Sequence, residues 1–100
     1  MCGIIAGISS SNIISTLLEG IKQLQNRGYD SAGLTILEEE NKLLTIKKAS
    51  TNSVNAIDYL LSQKYPISTI GIAHTRWATH GGKTDLNSHP HTSSDGKIKL

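Results

Sequence analysis

Cys2 stands directly behind Met1 and is the only cysteine among the 100 residues. Cysteine is small enough for the initiator methionine to be removed, so the mature chain is expected to begin with Cys2. A terminal cysteine carries two reactive groups on one residue. An ordinary α-amino group has a pKa of about 7.7–8.0, so it can take the thiol proton, directly or through a water, and later return it to a leaving group. Base help of this kind contributes roughly 10²–10⁴ in rate. The bland alternative is a small, inert cysteine buried at a strand edge, where such residues behave as small hydrophobes.

A second concentration of chemistry lies in the segment TRWATHGGKTDLNSHPHTSSDG, residues 75–96. It is polar, rich in Gly and His, and without periodicity, and a long aperiodic stretch in a compact domain is usually a binding loop. Its GGKT at 81–84 has the ending of a phosphate-binding loop, but the pattern requires glycine five positions before Gly82, where Trp77 stands. His74, His80, His89 and His91 raise the question of zinc. There is no second cysteine, however, and His-Pro-His is an awkward chelate beside the paired spacings of structural zinc sites. Neither metal nor cofactor is expected, and His89 and His91 are expected to make local hydrogen bonds within the loop.

Short elements must position these groups. Residues 3–8, GIIAGI, form an apolar run expected to be a buried strand, ending at the polar SSSN of 9–12. From 13 to 26, Ile13, Ile14, Leu17, Leu18, Ile21 and Leu24 recur on one helical face, with Ser11 or Asn12 as cap and Gly28 as stop. GLTIL at 33–37 and LLTIK at 43–47 predict a hairpin whose EEENK connection is a solvated turn. A helix is predicted over about 53–63, with Val54, Ile57, Leu60 and Leu61 on one face and Tyr65-Pro66 closing it. TIGIAH at 69–74 predicts another strand, and KIKL at 97–100 looks like the start of one. The order predicts an α+β domain.

Composition removes other classes. Apolar residues at 37% and charged residues at 18% describe a globular chain. A net charge of +2 and only four aromatic side chains leave no basic, base-stacking surface, so neither nucleic acid nor an anionic membrane is expected as partner. The N-terminus lacks the basic region of a signal peptide, and no apolar run approaches the roughly 20 residues needed to span a bilayer. A lone cysteine fits a reducing compartment, and the expected location is cytoplasmic.

Four stretches together, MCGIIAG at 1–7, LQNRGYDSAGL at 24–34, GIAHTRWATHG at 71–81 and NSHPH at 87–91, resemble the amino-terminal glutaminase domain of the class II, N-terminal-nucleophile glutamine amidotransferases. Within that group, RGYDSAG and HTRWATHG are similar to the branch that aminates fructose 6-phosphate. The resemblance implies that the Cys2 thiolate attacks the side-chain amide of glutamine, ammonia leaves, and water hydrolyses the γ-glutamyl thioester. Arg27 and Gly28 would then match the family's turn near the nucleophile, Arg27 helping to hold the amino terminus and Gly28 permitting close backbone approach. Arg76, Trp77, Thr79 and His80 would form the loop that closes on glutamine, with the Arg76 fork suited to the α-carboxylate and Trp77 excluding water. Asp30 has a bland alternative as a turn or cap residue.

The implied fold is a four-layer αββα sandwich, of which residues 1–100 would be the amino-terminal part, with the sugar-phosphate isomerase domains absent. The family's oxyanion-hole Asn and Gly, and the acid that binds the amino group of glutamine, would lie beyond Leu100. The resulting expectation is a truncated chain that folds poorly alone and turns over little glutamine. A homo-oligomer is expected only of the full-length enzyme. An amidophosphoribosyltransferase- or asparagine synthetase-type enzyme, and a non-catalytic remnant, are the alternatives.

Overall fold

The computed structural model describes residues 2–24 and 30–100. Strand β1 (Gly3–Ile8) leads into helix α1 (Ile14–Leu24), then β2 (Ser31–Leu37), β3 (Leu43–Ala49), helix α2 (Ala56–Ser62) and β4 (Ile70–Arg76). The strands form an antiparallel sheet in the order β1-β4-β2-β3. Helix α1 lies over β1 and β4, and α2 over β2 and β3, so one sheet carries one helical layer. The architecture is α+β, as expected.

Periodicity explains the helical side. Ile14, Leu17 and Ile21 of α1 are buried, as are Ala56, Ile57 and Leu60 of α2, and both sets meet Leu34 and Ile36 from β2. Each fully buried aliphatic side chain contributes about 1.5–3 kcal/mol. Asn12, not Ser11, caps α1: its Oδ1 accepts from Ile14 N at 3.3 Å and from Ser68 N at 3.2 Å. Helix α2 begins three residues later than the pattern predicts. Asn55 caps it, accepting from Ile57 N at 3.0 Å and Asp58 N at 3.1 Å. Leu61, expected on the buried face, is exposed, because a seven-residue helix turns only Ala56, Ile57 and Leu60 to the sheet. The Tyr65 hydroxyl donates to Leu60 O at 2.6 Å across the helix end, and burial pushes its pKa up to about 12. Gly28, the expected stop of α1, lies outside the described residues.

Strand ends depart from the sequence pattern for one reason. Ser31 sits opposite both Ala49 and Arg76, so β2 starts two residues early, while β3 and β4 each run two residues late. Pairing partners, not side-chain alternation, decide where those strands stop. Strand β1 corrects a second expectation: it is an edge strand, not a buried one, and Ile4 and Ile8 point away from the helices at 72% and 81% exposure. The EEENK connection is the solvated turn expected, closed by Glu38 N donating to Lys42 O at 2.7 Å.

Residues 97–100 do not join the sheet. They pair back on the preceding loop, with His91 and Leu100 exchanging backbone hydrogen bonds of 2.6 and 2.9 Å and Thr92 bridging Lys99. The turn between them passes through Gly96 at φ 75°, a conformation that glycine adopts without penalty.

Candidate active site

The register gathers the chemistry at one end of the sheet. Gly3 faces Thr75, so Cys2, one residue before β1, arrives beside the end of β4. There the Trp77 N–H donates to Cys2 Sγ at 3.4 Å, and the thiol lies 3.8 Å from the Trp77 carbonyl oxygen. Cys2 is exposed on an open cleft of about 350 Å³. Arg76, Trp77, Thr79 and His80 line the same cleft, so the structure brings these four together with Cys2. Arg27 and Gly28 lie outside the described residues.

Arg76 is 7% exposed. Its Nη1 donates to Gly82 O at 3.1 Å and its Nη2 to His80 O, so the guanidinium curls residues 80–82 around itself. Gly81 takes φ 79° at the crest of that curl. Two of the five N–H donors of the guanidinium are thus engaged by loop carbonyls. Trp77 is half exposed, with the Lys83 ammonium 6.0 Å from its ring centroid.

Asp30 is a tether, and not merely a turn residue. It is buried, its Oδ2 accepts from Ala78 N, its N–H donates to Arg76 O at 2.7 Å, and its carbonyl accepts from Ser50 N at 2.8 Å. It thus fixes the chain on both sides of Trp77.

Sequence reasoning missed four lining residues, Gly81, Asn87, His89 and His91. His89 packs in tilted ring contacts against His74 and His91, each pair with centroids 4.2 Å apart, at interplanar angles of 44° and 55°. The described side-chain contacts of His89 and His91 are therefore ring contacts, not the local hydrogen bonds expected. The NSHPH stretch was the available signal, since it belongs to the resemblance, but nothing local indicated that it folds back on Cys2. Burial, then His89, His91 and Arg76, lowers the His74 pKa to about 4. Burial, then His91, Arg76 and Lys47, also lowers that of His89. With its pKa that low, His74 is neutral near pH 7 and adds no like charge beside Arg76. Among the described residues, no group of three or more His, Cys, Asp or Glu side chains is arranged to hold a metal ion.

No family model matches the chain. Proteins named glutamine--fructose-6-phosphate aminotransferase [isomerizing] do. That of Idiomarina loihiensis is 46% identical over 95 residues, which is 95% of this chain and 15% of the relative. That of Caldanaerobacter subterraneus subsp. tengcongensis is 49% identical over 100 residues, all of this chain and 16% of the relative. That of Leifsonia xyli subsp. xyli is 44% identical over the same span and share. The chain thus spans about one-sixth of the length of the curated relatives it matches. In class it is homologous to a glutamine amidotransferase domain. More narrowly, it is homologous to the amino-terminal segment of the glutamine--fructose-6-phosphate aminotransferases.

Proposed function

We propose that this chain carries the nucleophile and part of the glutamine site of a glutaminase half, in an enzyme that transfers ammonia to fructose 6-phosphate and so makes glucosamine 6-phosphate. The observation that carries the reading is the seat of Cys2: its sulfur lies against the Trp77 backbone in the cleft that Arg76 also lines. Nucleophile and anion-binding group are presented together by adjacent strands.

After Met1 removal, the α-amino group of Cys2 takes the thiol proton, and the sulfur attacks the side-chain amide carbon of glutamine. Collapse of the tetrahedral adduct breaks the C–N bond. The amino group's proton goes to the leaving nitrogen, ammonia departs, and a γ-glutamyl thioester remains. Water, deprotonated by the same amine, attacks the thioester, so that glutamate and the free thiol are restored. Arg76 holds the substrate α-carboxylate, Thr79 and His80 add polar contacts, and Trp77 covers the reacting carbon. By the resemblance, Arg27 would help hold the amino terminus and Gly28 would permit close backbone approach. The helix-on-sheet unit belongs to the four-layer αββα sandwich of N-terminal-nucleophile hydrolases. The enzyme works in the cytoplasm, with no membrane or nucleic-acid partner and no cofactor in this half. Among the described residues no helix is long and apolar enough to cross a membrane.

The test is the intact mass of the protein after brief exposure to 6-diazo-5-oxo-norleucine, a glutamine-like electrophile. A chain lacking Met1 with one adduct on Cys2 is the expected result. Retained Met1, or no adduct, overturns the reading.

A further inference from the structure

Lys47 sits on β3, far in sequence from the cleft, yet its ammonium is surrounded by the backbone of the site loop. Its Nζ donates to Ser88 O at 2.8 Å, Pro90 O at 3.2 Å and Leu86 O at 3.3 Å. Three N–H donors meet three carbonyl oxygens drawn from alternate residues of one short stretch, and the ammonium is fully satisfied. Ser88 and Pro90 are themselves completely buried. Asn87, between two of those carbonyls, and His89 and His91 on either side of Pro90 are among the residues that line the cleft.

Two further contacts seat the same stretch. Asp85 accepts from Ala49 N at 2.7 Å and from the Lys48 ammonium at 3.3 Å, which binds the start of the loop to the end of β3. On β2, a Cβ at Gly33 would lie 2.1 Å from His89 O, so the absence of a side chain is what allows the loop to rest on the sheet there. Gly33 provides the space and Asp85 the anchor. Lys47 is the only group among these that reaches several loop carbonyls at once.

We propose that Lys47 is a positioning residue of the glutamine site, its ammonium clamping the carbonyls of Leu86, Ser88 and Pro90 so that Asn87, His89 and His91 are held against the cleft of Cys2. The inference rests on the proposed glutaminase reading. A compact ammonium suits three convergent acceptors, whereas the planar fork of arginine does not. Burial and the neighbouring Lys99 hold the Lys47 pKa below its ordinary 10.5, and the nearby Asp85 opposes them. The clamp needs the charged, three-donor form.

The experiment compares Lys47→Met, which keeps the apolar stem, with Lys47→Arg and Lys47→Gln. The KM for glutamine is expected to rise about 10- to 100-fold in Lys47→Met, with kcat much less affected, since a loop lining the cleft is displaced while the nucleophile is not. Lys47→Arg restores little. Alkylation of Cys2 by iodoacetamide should stay within about twofold of the unsubstituted protein, because that reagent does not need the loop. Imidazole NMR signals of His89 and His91 should move in Lys47→Met. An unchanged KM in a folded Lys47→Met, or unmoved His89 and His91 signals, overturns the clamp. If Lys47→Met does not fold, Lys47→Gln, which keeps two donors, must show the same split and the same shifts, or the proposal fails. If the unsubstituted protein takes no adduct from 6-diazo-5-oxo-norleucine at Cys2, the glutaminase reading fails instead, and the histidine signals alone decide the clamp.

Discussion

The two faces of the sheet are held by different physics. On the helical face, Leu17, Ile21, Leu34, Ile36, Ile57 and Leu60 are fully buried, and the stabilising quantity is apolar area withdrawn from water. On the side of the cleft, the stretch 76–91 is held by side chains that bond main-chain groups: Arg76 to His80 and Gly82, Asp30 to Ala78, Asp85 to Ala49, and Lys47 to three carbonyls. A core tolerates similar shapes, because area is not directional. A loop tied by directional bonds from distant strands does not, since each lost partner strands a buried polar group. The protein therefore has a stability region and a geometry region, and they should respond separately.

The largest separation is expected at the cleft itself. Cys2→Ser should reduce glutamine hydrolysis by about 10³-fold or more while leaving the thermal midpoint nearly unchanged, because the replaced side chain is exposed. Parallel turnover assays and melting curves check it; a substantial loss of stability would show that Cys2 belongs to the core after all. The reverse pattern is expected at Leu17, which is wholly buried. Leu17→Ala should cost about 2–5 kcal/mol in denaturant unfolding, with the KM for glutamine little changed in the protein that remains folded.

A smaller effect tests the tie between β3 and the loop. Asp85→Ala removes the acceptor of Ala49 N and should cost about 1–3 kcal/mol. Hydrogen exchange should rise at Ala49, and the histidines of the cleft should shift. If exchange at Ala49 is unaltered, water has replaced the carboxylate and the tie is dispensable.

The smallest effect is pH-dependent. His74 has a pKa near 4 in the folded state against 6.5 ordinarily, so between these values the unfolded chain binds the proton more readily. Stability should therefore fall as pH drops from 6.5 to 4, by about 1 kcal/mol once the partial exposure of the ring is allowed for. His74→Gln should flatten that part of the curve, as measured by melting at a series of pH values. An unchanged slope would remove His74 as its source.

These comparisons also separate what was legible beforehand. The 3.6-residue recurrence from Ile14 to Ile21 placed α1 and its buried face, and the β-rich runs at 3–8, 33–37, 43–47 and 69–74 placed all four strands. Leu61 misled, because the face of a short helix depends on where its cap falls, and Asn55 capped later than the pattern implied. Cys2 and the Arg76 to His80 stretch were singled out from residue type and resemblance. Asn87, His89 and His91 were not assigned to the cleft, because what brings them there is a lysine some 40 positions earlier. No local pattern encodes that bond.

By itself, the sequence determined where the two helices and four strands of the described residues lie to within a few residues, most of the apolar face of α1, and which side chains could do chemistry. Those properties follow from local periodicity and from the reactivity of single residues. Only the tertiary structure decided that β1 is an edge, that Ser31 pairs on both sides and so lengthens three strands, and that Lys47 and Asp85 seat the loop. Strand order and long-range polar ties depend on which distant groups meet. Their free energy resides in contacts between segments, and no segment carries it alone.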